Sequence, residues 1–360
     1  MQVGIVGLPL SGKTTLFNAL TQSRAQAAAL AGGRNAQRTA VVDVVDPRLD
    51  ALSALFNPRK TTRAKVQFTD VSGAGTGSAE RPGLTEQALD ALGRCDALAL
   101  VVRAFENATV PHPAGSVDPR RDLASLRLEL AVADLGVIER RIERLEASMK
   151  KSRTLEKPGI EREMALMRRL GQALEAETPL TDVDLADDER AVIHGFRLLT
   201  ARPCLVILNA GDGPLPDDLG WAAGHRYTVA LALRASLEME IAELPPGERE
   251  EFLSSYGIAE QGLDRLVREA YGLLGLMSFF TVGEDEVRAW TIRRGDKAPR
   301  AAGRIHSDLE RGFIRAEVVH YDDFVALGSE SKARTEGKLR LEGKEYVVKD
   351  GDIMNIRHAS

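Results

Sequence analysis

No apolar run in the 360 residues approaches the length of a membrane span, so nothing here reads as a transmembrane helix. No signal peptide is expected either. The first apolar stretch, Val3-Gly4-Ile5-Val6, is short and leads straight into a glycine loop. Cysteine is scarce: Cys95 and Cys204 are the only two, each beside an apolar segment and without metal-ligand spacing. They read as reduced, buried thiols of a cytoplasmic protein. Positive charge is not in excess. A net charge of −5 excludes a chain that grips nucleic acid over its whole surface, though it leaves local patches open. What remains is ordinary for a soluble globular protein, with 44% hydrophobic and 28% charged residues. The length suffices for two or three domains.

The most informative stretch is Gly7-Leu8-Pro9-Leu10-Ser11-Gly12-Lys13-Thr14, which fits G-x-x-x-x-G-K-[ST]. The β-branched run before it reads as a buried parallel strand. Leu16, Phe17 and Leu20 after it have helical spacing. Strand, glycine loop and helix together make a phosphate cradle. Gly7 and Gly12 let the backbone N–H groups turn inward, and the helix N-terminus adds its dipole. The run Leu10, Ser11, Gly12, Lys13, Thr14 and Thr15 is therefore the expected nucleotide site. Lys13 reaches the β- and γ-phosphates, and the Thr14 hydroxyl is a Mg²⁺ ligand.

Residues 23–37, rich in Ala, Gly, Arg and Gln, read as a switch loop. Thr39 near its end has two readings, a Mg²⁺ ligand or a plain β-strand threonine. Lys65-Val66-Gln67-Phe68-Thr69-Asp70 is the next strand. Its terminal Asp70 stands at the Walker B position and holds Mg²⁺ through water. In Asp70-Val71-Ser72-Gly73, Gly73 offers its N–H to a γ-phosphate. Ala74 follows where Ras-like enzymes carry a water-orienting Gln, so another group must position the water. Gly73 to Ser78 reads as a second switch. The apolar run Ala97 to Val102 is a central strand, and His112 lies in the loop beyond it. It is either a group that orients water or contacts phosphate, or an exposed loop histidine.

Between Asp118 and Leu199 two heptad-like stripes appear: Leu135, Ile138, Ile142, Leu145, Met149, then Ile160, Met164, Met167, Leu170, Leu174. They predict an antiparallel coiled-coil hairpin, broken at Pro158-Gly159, with a basic tip from Lys150. That tip is either a solvated loop or a contact to an RNA backbone. The strand Pro203 to Leu208 then ends in Asn209-Ala210-Gly211-Asp212, where a GTPase carries its base-reading N-K-x-D. Asn209 braces the phosphate loop, Asp212 is the candidate acceptor for guanine, and Ser236 lies beside the base. After Leu273 the pattern turns β-rich, with a helix over Ala301 to Leu309. The fold class is thus α/β: a P-loop G domain over 1–118 and 199–276, a helical insertion over 119–198, and an α+β module over 277–360.

These motifs resemble the YchF/Obg-like ATPase family along nearly the whole chain. The resemblance rests on Gly7 to Thr21, Asp46-Pro47-Arg48-Leu49-Asp50 and the G-S-V-D-P-x-R-D run from Gly115 to Asp122. It extends to Phe279-Phe280-Thr281, Glu286 to Thr291, Ala301 to His306, Phe313 to Val318 and Val348 to Asp352. It implies a carboxyl-terminal TGS domain of β-grasp type, hydrolysis of ATP in preference to GTP, ribosome association and a cytoplasmic location. It also implies that His112 is the catalytic residue, which joins Lys13 and Gly73 from the motif reading. No membrane partner and no DNA specificity are expected. The chain departs from the family pattern at Leu10-Ser11, where the family has Asn-Val. It departs at Arg34, where the family has its switch threonine, and at Ala74, where it has Leu. Asp212, in place of Glu, is what guanine recognition uses. The leading expectation is a slow ATPase switch that binds the ribosome or its RNA. The alternatives are a GTPase that reads guanine with Asp212, a nucleotide-binding module with negligible hydrolysis, and a small-molecule kinase.

Overall fold

A computed structural model describes residues 1–24, 38–71, 84–151, 153, 156–256, 258 and 260–359. Most of the first switch, including Arg34, and all of Gly73 to Ser78 lie outside the described residues. The chain divides into two compact units, residues 1–41 with 67–266, and residues 42–66 with 267–360.

The first unit is built on a six-stranded sheet. Its strands are β1 (Gln2–Val6), β2 (Arg38–Asp43), β4 (Lys65–Asp70), β5 (Ala97–Arg103), β6 (Cys204–Asn209) and β7 (Thr228–Leu233). Their order is β2-β4-β1-β5-β6-β7, with β1 parallel to β4 and β5, β5 to β6, and β6 to β7. Every residue of β5 is buried, as the unbroken apolar run demands of a strand covered on both faces. Helix α1 (Lys13–Arg24) follows the glycine loop, and α3 (Glu86–Gly93) packs Ala88, Ala91 and Leu92 into the core around β5 and β6.

Helix α4 (Pro119–Lys151) opens on Asp118, whose carboxylate accepts from the N–H groups of Arg120 and Arg121 at 3.1 Å. It pairs with α5 (Lys157–Glu175) through Ile138, Leu145, Met164, Met167 and Leu170, so the two stripes do face each other. Arg141 reinforces the pair with two hydrogen bonds to Glu163, at 2.7 and 2.8 Å. The expected break at Pro158-Gly159 is misplaced: both lie in the first turn of α5, and Lys150 and Lys151 still belong to α4. Proline fits a first helical turn because the N–H it lacks would have no partner there. Asp134 of α4 ties the insertion to the returning chain. Its buried carboxylate accepts from the N–H groups of Leu199 and Thr200 at 2.8 Å and from the Thr200 hydroxyl at 2.6 Å. After α6 (Asp187–His194) and β7 come α7 (Ala235–Glu243), α8 (Pro246–Ser255) and α9 (Gly262–Leu273).

The second unit holds another six-stranded sheet. Its strands are β3 (Lys60–Thr62), β8 (Leu276–Thr281), β9 (Glu286–Arg293), β10 (Phe313–His320), β11 (Arg340–Glu342) and β12 (Asp352–His358). The order β11-β10-β12-β8-β9-β3 mixes antiparallel pairs with the parallel pairs β12–β8 and β3–β9. Strand β3, 224 residues from its neighbour at Thr62–Glu286, was not foreseen. It is three residues long and carries no apolar alternation, so it leaves no period to read. Helix α2 (Pro47–Phe56), capped by Asp46, belongs here too, and its Arg48 reaches Asp350 at 3.2 Å. The single helix expected over Ala301 to Leu309 is two, α10 (Ala298–Ile305) and α11 (Ser307–Arg311), because His306 is extended between them. Helices α12 (Tyr321–Leu327) and α13 (Glu330–Thr335) complete the unit.

Candidate active site

The phosphate loop is shaped by close backbone approaches. A Cβ on Gly7 would stand 2.3 Å from the Val101 carbonyl, so β1 can enter the loop beside β5 only at a glycine. The chain then turns through Leu10 at φ 64° and Gly12 at φ 94°. A Cβ on Gly12 would meet Asn209 Nδ2 at 2.2 Å. That contact explains both residues. Asn209, at the end of β6, donates from Nδ2 to the Ser11 carbonyl at 3.2 Å. Its Oδ1 accepts from the N–H of Ala235 at 3.1 Å, at the start of α7. One amide therefore joins the loop, the strand end and the next helix.

Lys13 is the first residue of α1 and only 7% exposed. Its Nζ donates to the carbonyls of Gly7 and Leu8, both at 2.8 Å. Burial pushes its pKa down to about 8, against the opposing pull of the Asp70 carboxylate. Asp70 closes β4 and is 4% exposed. Thr14 is exposed on the first turn of α1 and Thr15 half-buried. Thr39 lies on β2 with its hydroxyl 3.3 Å from that of Thr69. Gly73 lies outside the described residues. On the base side Asp212 and Ser236 are both exposed, and Arg234 donates to the Gly213 carbonyl at 2.9 Å.

His112 is not the exposed loop histidine that one reading allowed, since its side chain is 5% exposed. Its Nδ1 accepts from the N–H of Ala114 at 3.1 Å, and its Nε2 lies 2.8 Å from Asp122 Oδ2. A backbone N–H can only donate, so Nδ1 is bare and Nε2 carries the proton toward Asp122. Arg121 holds the other oxygen of Asp122 at 2.8 and 2.9 Å. Both imidazole nitrogens are thus committed, in a cleft of about 10 Å³ lined by Pro9, Ser11, Arg103 and Leu126 among others. Among the described residues, the buried Ser11 Oγ and Arg103 Nη1 have no hydrogen-bond partner.

Two residues of this arrangement were missed. Asp122 was seen only as one letter of a motif, although an acid in the first turn of the helix after a histidine loop was a usable signal. Arg103, 2% exposed, donates to the carbonyls of Phe105 at 3.0 Å and Val110 at 2.7 Å and so shapes the loop that carries His112. No sequence signal marks it, because a strand-end arginine usually points to water.

Comparison with known proteins agrees with this construction. Residues 2–133 match the family described as 50S ribosome-binding GTPase. Residues 276–359 match the YchF-GTPase carboxyl-terminal family, described as a protein of unknown function. The chain is 41% identical to the ribosome-binding ATPase YchF of Bacillus subtilis, over 99% of each chain. It is 40% identical to the protein of that name from Escherichia coli O157:H7, over 98% of each. The structure of the Schizosaccharomyces pombe YchF GTPase superposes with a TM-score of 0.88 at 32% identity, covering 99% of this chain and 97% of that one. With such identity held from end to end, the chain belongs to the YchF family.

Proposed function

We propose that this chain is a slow ATPase whose nucleotide state controls binding to the ribosome. The observation that carries this is the braced loop: Gly12 and Asn209 fit each other so closely that the loop is held ready for phosphates. Lys13 supplies the cation to the β- and γ-phosphates in place of its two carbonyl partners. The relatives named ribosome-binding ATPases and the matched ribosome-binding GTPase family support the partner, and ribosome binding puts the work in the cytoplasm.

Mg²⁺ fits the donors present. The Asp70 carboxylate and the Thr14 hydroxyl are hard oxygen ligands, and so small a protein set suits an ion that keeps waters and phosphate oxygens. When bound, Mg²⁺ neutralises charge on the phosphates. Thr39 is a further candidate, with its hydroxyl turned to Thr69. Gly73 is assigned the γ-phosphate N–H. Leu10 to Thr15 hold the phosphates, and Asn209, Asp212 and Ser236 border the base. His112 is assigned the attacking water. To act as a base it must give up the Ala114 N–H that Nδ1 now accepts, since Nε2 already carries the proton toward Asp122.

A second reading, GTP as substrate, rests on Asp212, an exposed carboxylate three residues past the bracing Asn209. Phosphate release from ATP and GTP, each with and without ribosomes, tests both. The proposal expects ATP to be preferred, ribosomes to change the rate, and His112→Ala to slow release by about a hundredfold or more. Equal rates for His112→Ala and the unchanged chain would overturn the assignment of His112. A GTP preference reversed by Asp212→Glu would establish the second reading instead.

A further inference from the structure

The connection from β6 to β7, residues 210–227, contains no helix. One face of these strands is consequently thinly covered. Thr228 and Ala230, on one face of β7, are only half-buried, and Trp221 with Ala222 provides the local cover. The result is a cavity of about 550 Å³, bounded by α4, the turn around Thr178 and Thr181, and the starts of β6 and β7 at Cys204 and Thr228. That volume lies within the range of small-molecule sites. The phosphate loop follows the carboxyl end of β1, whereas this cavity runs along α4 from Arg120 to Ala131 and takes in Cys204 and Thr228 at the amino ends of β6 and β7.

Its lining is divided by polarity. Leu123 and Leu130, two turns apart on α4, give an apolar floor and are 1% and 2% exposed. Arg120 and Arg127, also two turns apart, give a cationic wall about 10 Å long. Among the described residues neither arginine makes an ion pair. Arg120 lies over the Trp221 ring at 4.9 Å, and Arg127 makes one hydrogen bond, to the Ala222 carbonyl at 2.8 Å. Arg202, also in the lining, donates to the Gly93 carbonyl at 2.8 Å, and its buried Nε has no hydrogen-bond partner among the described residues. Arg121 is held by Asp122, and Asp182 is taken by His225 at 2.7 Å and by the N–H of Arg226. Glu177 is the one carboxylate in the lining. Burial pulls the Arg127 pKa down, against the weaker opposing pull of Cys204 and Asp182.

We propose that this cavity is a second ligand site, which takes a small amphipathic anion with a flat apolar body and one carboxylate, sulfonate or phosphate head. The body lies on Leu123 and Leu130 beside Trp221, and the head meets Arg127 and Arg120. The site is independent of the nucleotide reading.

Titration of the full chain with 1-anilinonaphthalene-8-sulfonate, followed by dye fluorescence, tests it. The expected result is saturable binding of one dye per chain, undisturbed by ATP with Mg²⁺. Arg127→Met, which keeps the apolar stem, and Ala124→Trp, which fills the mouth, should each weaken it at least tenfold while ATP binding is retained. Competition by 1-naphthoate or by 1-naphthyl phosphate identifies the preferred head. The proposal is overturned by unsaturable binding, by displacement with ATP, by unchanged affinity in both variants, or by failure of both competitors.

Discussion

Raising the pH should weaken nucleotide binding through Lys13. Burial holds the ammonium at about 8, well below its ordinary 10.5. A triphosphate beside it favours the charged form, so binding must be accompanied by proton uptake on Lys13. At pH 8 about half of the free protein has a neutral Lys13, and binding should take up about half a proton; near pH 9 uptake approaches one, and near pH 7 it fades. Over that rise the apparent affinity falls by up to about tenfold per pH unit, about 1.4 kcal/mol each. Folding stability moves the opposite way. Folding lowers this pKa, so the unfolded chain binds more protons between about 8 and 10.5, and stability rises with pH across that window. Calorimetric titration with ATP in paired buffers of different ionisation enthalpy reads the proton count directly. Lys13→Arg, charged at every pH used, should bind without uptake. No uptake by the unchanged chain at pH 8 to 9 would refute the buried-ammonium argument.

Gly12→Ala should abolish measurable nucleotide binding, because the added methyl lands on the Asn209 amide at a backbone angle that alanine avoids; equilibrium dialysis with labelled ATP checks it. Asp134→Ala strands two backbone N–H groups and the Thr200 hydroxyl, and should cost about 3 kcal/mol or more in urea unfolding. Arg141→Ala, by contrast, removes a pair whose arginine is 34% exposed and should cost about 1 kcal/mol or less by the same method. Asp122→Ala should release His112, so that diethyl pyrocarbonate labels it several times faster in mass spectrometry; unchanged labelling would mean that burial alone protects the ring.

The phosphate loop was legible because its motif records backbone necessity. Gly7 and Gly12 stand where any Cβ would collide, and a spacing fixed by such collisions survives as letters in the sequence. The helix pair was legible for a related reason: a local period repeats over many turns. What stayed hidden depends on partners that no local pattern announces. Strand β3 pairs with β9 across 224 residues, and Asp122 meets His112 only because α4 begins where the histidine loop ends.

The Asn209–Asp212 motif sits between these two cases, and the structure separates its halves. Asn209 is buried and turned inward, with its amide spent on Ser11 and Ala235. Asp212 is exposed. Inward and outward residues of one motif answer to different demands. Replacing Asn209 removes a brace from the phosphate loop and should weaken every nucleotide alike. Replacing Asp212 removes none of these bracing contacts, and on the proposed reading should change base preference while phosphate binding is retained. Ala210, which stands where N-K-x-D has its lysine, is buried and donates its N–H to the Leu233 carbonyl at 2.9 Å, so it belongs with the inward half of the motif.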